Sequence, residues 1–215
     1  MGYSRILGIG VIPLAAVATV LLCSNVFAET LPKPTIKPLK LSKKDIARAA
    51  SVQKFVKRNK WQDAKRIIGS IEHPLLKQAL VWQRYSSQNS GATFDEILRF
   101  IEEKPTWPSQ RRLRQRAEEA MAAEIDPQRV LTWFKDQAPV TSDGGIRLGA
   151  ALLKLSKKPE AIKVLRKTWV NGNFGARQER QFYKRYRRYL TRQDHIDRLE
   201  RLLWNCLLYT SPSPR

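Results

Sequence analysis

The residues best equipped for chemistry in this chain are its arginines. Arg111, Arg112, Arg114 and Arg116 form one tight group, and Lys184, Arg185, Arg187, Arg188 and Arg192 form another. A guanidinium can hold a carboxylate in a two-point fork. Arg111, Arg112, Arg114, Arg185 and Arg188 are therefore candidate contacts for an anionic polymer. The same residues could instead form a solvated helix face laced by i,i+4 pairs, such as Arg114 with Glu118. His73 and His195 lie far apart, and neither has a cysteine or second histidine at ligand spacing, so no metal site is expected. Between Arg180 and Tyr189, basic residues alternate with Phe182, Tyr183, Tyr186 and Tyr189. That interleaving can bind nucleic acid by stacking. It also fits a buried aromatic stripe at helical spacing. No residue takes a catalytic role on this reading, and no cofactor is expected.

Charge narrows the choice of partner. The chain carries 40 Lys+Arg against 19 Asp+Glu, a formal net charge of +21. Such a balance asks for an anionic partner or surface. Arg5, the uncharged apolar stretch from Ile6 to Leu22, and Val26 and Ala28 at the −3 and −1 positions follow the order of a secretory signal peptide over residues 1–28. The alternative, a membrane anchor, is marginal in length, and no stable membrane span is expected after cleavage. In a bacterium, export would place the chain in the periplasm or outside the cell; in the periplasm the anionic polymers are peptidoglycan and lipid headgroups, not nucleic acid. The other end reads Cys206-Leu207-Leu208-Tyr209-Thr210-Ser211-Pro212-Ser213-Pro214-Arg215. It can be back-translated as the adapter of a transposase-based sequencing library. Residues 205–215 are accordingly expected to be an adapter-derived artefact, with Asn205 ambiguous. Cys23 falls in the leader and Cys206 in this tail, so the mature chain has no disulfide and no thiolate metal site.

The elements that must position these residues are all helices. Pro32, Pro34 and Pro38 make residues 29–41 an extended, lysine-spaced linker. From Ser42 to Trp204 the apolar residues recur at helical spacing and almost nothing alternates. Ser42 with Asp45, Thr93 with Glu96, Asp126-Pro127 and Thr191 with Asp194 read as helix starts. Asn59, Gly69, Pro105 and Pro139 read as stops. Trp107-Pro108-Ser109 should open a helix from about Pro108 to Ala123, with Ser109 near its free amides. Gly144-Gly145 should lie in a loop or a frayed first turn ahead of a helix from Ile146 to Leu155. About ten helices with short connections predict an all-α chain: an α-solenoid, or superhelix, of stacked helical hairpins. The run from Asn59 to Ile68 echoes the run from Ser156 to Leu165, each with a small alanine that lets two helices approach. The six tryptophans fall near helix ends and read as core anchors.

The segment from His73 to Met121 carries a family resemblance. Its pieces are His73-Pro74-Leu75-Leu76, Gly91-Ala92-Thr93-Phe94-Asp95-Glu96-Ile97, and above all Pro105-Thr106-Trp107-Pro108-Ser109-Gln110. Trp169-Val170-Asn171-Gly172-Asn173-Phe174 and Tyr189-Leu190-Thr191-Arg192-Gln193-Asp194-His195 continue it. The whole resembles the N-terminal superhelical domain of soluble lytic murein transglycosylases of the alphaproteobacterial type. The resemblance implies a periplasmic protein that cleaves the bond between N-acetylmuramic acid and N-acetylglucosamine without water, leaving a 1,6-anhydro end. It also implies that the glutamate serving as general acid and then base sits in a C-terminal lysozyme-like domain, within a Glu-Ser motif followed by Gly-Leu-Met-Gln. Neither motif occurs in this sequence. The expectation is therefore an N-terminal fragment that engages glycan strands for a catalytic domain it lacks. The alternative is a non-enzymatic periplasmic helical-repeat scaffold.

Overall fold

Ten α-helices and one 3-10 turn follow one another in the computed structural model, which describes residues 40–210, with side chains as far as Asn205. The expected leader, most of the expected linker and the last five residues of the chain lie outside the described residues. The helices are α1 (Lys43–Lys57), α2 (Trp61–Gly69), α3 (Pro74–Ser86), α4 (Phe94–Glu103) and α5 (Gln110–Glu119). Then come α6 (Pro127–Trp133), α7 (Ser142–Lys154), α8 (Lys158–Asn171), α9 (Ala176–Tyr186), the 3-10 turn (Arg187–Tyr189) and α10 (Arg192–Thr210). There is no strand among the described residues, and the chain is all-α as the apolar spacing predicts.

Packing runs along the chain. Each helix leans mainly on its neighbours one or two places away: α1 on α2, α2 on α3, α3 on α5, α4 on α5, α6 on α7, α7 on α8 and α8 on α10. Three apolar cores follow in the same order. The first joins Val52, Trp61, Ala64, Ile68 and Leu80. The second joins Phe94, Ile97, Phe100, Leu113, Ala117, Met121 and Val130. The third joins Leu165, Trp169, Phe182, Tyr186 and Tyr189. A succession of local cores, each closed by sequence neighbours, is the packing of a helical superhelix.

The internal echo has a structural counterpart. Asn59 and Ser156 both sit at positive φ, 55° and 60°. The amide three residues past each helix end then reaches back to a carbonyl: Lys60 N to Phe55 O and Lys157 N to Leu152 O, both 2.9 Å. This is the left-handed helix ending that satisfies orphan carbonyls. Ala64 and Ala161 are fully buried at matching places. Hairpins α1–α2 and α7–α8 thus use the same connection.

Four helix starts have the expected caps. Ser42 accepts from the Asp45 amide, Asp126 from the Arg129 amide, and Thr191 from the Asp194 amide at 3.3 Å. Thr93 and Glu96 form a reciprocal capping box. Other expectations are corrected. Helix α5 starts two residues late, because Ser109 adopts a left-handed conformation (φ 61°) and its side chain caps nothing. Gln110 instead fastens the turn, donating to Lys104 O and Trp107 O. Gly69 is the last helical residue and not a left-handed stop; Ser70 follows it, still helical in conformation. Gly144 and Gly145 are buried inside the first turns of α7, which Thr141 caps. A Cβ on Gly144 would fall 2.3 Å from the Glu118 carboxylate, and one on Gly145 would fall 2.2 Å from Thr168 Oγ1. The glycines are there for close approach, not for a loop. Helix α10 also runs past Trp204 to Thr210, since Leu207 and Leu208 favour helix and the first proline comes at Pro212.

The tryptophans divide. Trp61 and Trp169 are buried, and Trp82, Trp107 and Trp133 are partly buried against the second core. Trp107 meets Phe100 edge-on at 5.6 Å, and Trp82 Nε1 donates to Pro108 O at 2.9 Å. The Trp107-Pro108-Ser109 run is thus an anchor between α3 and α5. Trp204 is 67% exposed and anchors nothing in the described structure.

Candidate functional site

Arg111 and Arg112 lie in the first turn of α5, exposed, with no acidic residue beside them in that turn. Cations at this end oppose the helix dipole, so they do not stabilise their own helix. They make no ion pair among the described residues. Both guanidiniums are free to meet an anion.

Arg114 is different: of the candidate contacts it alone faces inward. Its guanidinium lies 4.5 Å over the Trp133 ring and donates to Gln137 O at 3.1 Å. Its Nε stands 3.6 Å from Glu118, whose side chain is fully buried. The expected i,i+4 pair exists, but it faces inward. The Glu118 carboxylate accepts from the Val140 amide, and from the Thr141 amide and hydroxyl at 2.8 and 2.7 Å. Burial raises its pKa against these donors, and burial lowers that of Arg114. Glu118 therefore holds the loop ahead of α7 in place, and Arg114 balances its charge. Glu118 does not reach solvent, and Arg114 does so only in part. Arg116 is spent on an ion pair with Glu119.

The second basic group stands on the third core. On α9, Phe182 and Tyr186 turn inward while Arg177, Arg180 and Lys184 share the exposed face at helical spacing. Arg185 is exposed and stacks over Tyr186 at 5.4 Å. Arg188 is exposed over Tyr189 at 4.8 Å and donates to its hydroxyl at 2.8 Å. It borders an open depression of about 720 Å³ together with Lys158 and Arg166. Arg166 is tied to Tyr189 O at 2.7 Å and to Asp194 at 3.5 Å. Arg185 and Arg188 pair with no carboxylate among the described residues. The interleaved aromatics are mostly the buried stripe: Phe182, Tyr186 and Tyr189 are buried, and Tyr183 is 43% exposed. The two arginine groups serve different cores, and the structure does not bring them into one site.

The chain matches no family model, no curated protein and no solved structure. Its functional residues must be read from its own geometry.

Both histidines have structural duties. His73 caps α3, its Nδ1 accepting from the Leu76 amide at 3.4 Å. His195 lies edge-on to Trp169 at 5.5 Å. Among the described residues no three of His, Cys, Asp and Glu come together as a metal site. No described helix is long and apolar enough to cross a membrane. The sequence reading passes over two buried arginines. Arg84 grips Glu96 with both terminal nitrogens, at 3.0 and 3.4 Å. Arg198 lies 4.5 Å over Trp169 and donates to Trp169 O at 2.7 Å. Nothing in the spacing marks them, because their partners lie 12 and 29 residues away in sequence.

Proposed function

We propose that this chain is the N-terminal, glycan-engaging helical part of a periplasmic lytic murein transglycosylase. It holds peptidoglycan strands, while non-hydrolytic cleavage between N-acetylmuramic acid and N-acetylglucosamine belongs to a domain bearing the Glu-Ser motif. No catalytic residue is assigned within this chain. Support comes from the sequence resemblance over residues 42–204 and from one observation: Arg111, Arg112, Arg185 and Arg188 are exposed and free of carboxylate partners in a chain of charge +21. The carboxylates of peptidoglycan stem peptides are the matching periplasmic charge.

The test is sedimentation of purified protein with isolated sacculi. Wild type should co-sediment. A variant with Arg111, Arg112, Arg185 and Arg188 all changed to Gln should lose binding several-fold at unchanged helicity. Undiminished co-sedimentation of that variant would sink the reading.

A second reading, a non-enzymatic periplasmic scaffold for other proteins, is favoured by the outer face of α10. Ile196, Leu199 and Leu203 recur there at helical spacing, 38%, 57% and 54% exposed, with Trp204 beside them. Exposed apolar stripes of this kind meet protein partners.

A further inference from the structure

A cleft of about 530 Å³ opens between the loop joining α6 to α7, the first turn of α7 and the outer face of α8. Its floor is aliphatic: Pro139, Val140, Leu148 and Val164. Lys163 and Lys167 line one wall, one helical turn apart and both exposed. Neither makes an ion pair among the described residues. Asn171 and Asn173 also line it. Asn173 gives its carbonyl oxygen to Arg201 at 3.0 Å, which leaves its amide hydrogens to donate elsewhere.

Two acids also border the cleft, and both are engaged. Glu119 is ion-paired with Arg116. Asp143 accepts from Gln178 at 2.7 Å, and burial pushes its carboxyl above the usual range. Glu119 is neutralised by Arg116, so the two lysines outweigh the single carboxyl of Asp143 and leave the cleft net positive. The volume suits one small ligand, not a polymer strand. No aromatic ring lines it, so it offers a sugar no flat face to stack on. An aliphatic floor under two cations fits a small apolar side chain flanked by carboxylates.

We infer that this cleft binds a short acidic peptide, with its aliphatic side chain on the Pro139–Val140–Val164 floor and its carboxylates against Lys163 and Lys167. The cell-wall reading bears only on the source of that peptide, a peptidoglycan stem in one case and a free acidic peptide in the other.

Calorimetry on the full chain tests this, with Ala-γ-D-Glu-diaminopimelate as probe and its carboxyl-amidated form as control. The acidic tripeptide should bind, and the amidated form should bind at least ~10-fold more weakly. Lys163→Gln with Lys167→Gln should weaken binding by a similar factor. Lys43→Gln with Lys44→Gln, an exposed pair on α1, should not. Equal loss in both double variants, or no preference for the acidic form, would overturn the inference. Should the Gln pair melt early, Lys163→Arg with Lys167→Arg takes its place and must retain binding. Sacculi, intact or stripped of stem peptides by an amidase, separate the sources. If the cleft variant loses intact sacculi as stripping does, the ligand is the stem peptide. If only tripeptide binding responds, the ligand is a free peptide. Sacculus binding without tripeptide binding would end this inference and spare the proposed function. Tripeptide binding without sacculus binding would do the reverse.

Discussion

Glu96 shows how one carboxylate can join three helices. It accepts from Arg84 of α3, from Lys65 of α2 at 2.9 Å, and from the Thr93 amide at 3.1 Å. Burial alone would raise its pKa, but the hydrogen bonds from Arg84, Lys65 and Thr93 outweigh burial and bring it down to about 2. A carboxyl depressed from 4.5 stabilises the fold above its unfolded pKa and loses that contribution as pH falls from about 4.5 towards 2. Glu96→Gln should therefore cost about 1–2 kcal/mol at pH 7, solvent screening at its exposed edge holding the figure down. The gap between wild type and variant should close over that acidic window in urea melts. A gap that persists unchanged to pH 2 would refute the role. The capping box itself is legible in the sequence, because its two residues are three apart. Arg84 and Lys65 are not, because their approach depends on how α2 and α3 pack. Arg114 teaches the same lesson at the candidate site. Its spacing to Glu118 reads directly from the sequence, but whether the pair faces water or core depends on Trp133 and the loop before α7.

At the scale of elements, helix existence is legible and helix ends are less so. Caps such as Ser42, Thr93 and Asp126 use local hydrogen bonds, so short-range chemistry reveals them. The start of α7 escapes because Gly144 and Gly145 look like loop residues until α5 and α8 are placed against them. Ser109 escapes because a left-handed backbone at a serine, φ 61°, leaves no mark in the residue type. That geometry makes a prediction. Ser109 and Ser156 sit at φ 61° and 60°, where a Cβ costs about 1–2 kcal/mol and glycine avoids the clash. Allowing for glycine's greater unfolded entropy, Ser109→Gly and Ser156→Gly should each stabilise by roughly 0.5–1 kcal/mol. Asn59→Gly, at φ 55°, should gain less, since asparagine tolerates this region through its own short polar side chain. Denaturant midpoints of the three variants decide it. A loss of stability on Ser156→Gly would show that its side chain does more than occupy the turn.

At the scale of the whole molecule, two consequences of the charge oppose each other. A chain of +21 repels itself when folded compactly, and its exposed arginines attract anionic polymers. Salt weakens both effects, since the screening length shrinks from about 30 Å at 0.01 M to about 8 Å at 0.15 M. Ion pairs pull the other way, but most are partly exposed, and exposed pairs are worth little. Screening should therefore raise stability by roughly 1 kcal/mol, or about 2–4 °C in a chain of this size. The same salt should release the protein from sacculi. One salt series read by thermal melting and by co-sedimentation should give slopes of opposite sign. Parallel slopes, with fold and binding weakening together, would mean that the ion pairs carry more of the fold than the net charge costs it. Sacculus binding that ignores salt would place the contact on the apolar face of α10 instead of the arginines, and would favour the scaffold reading.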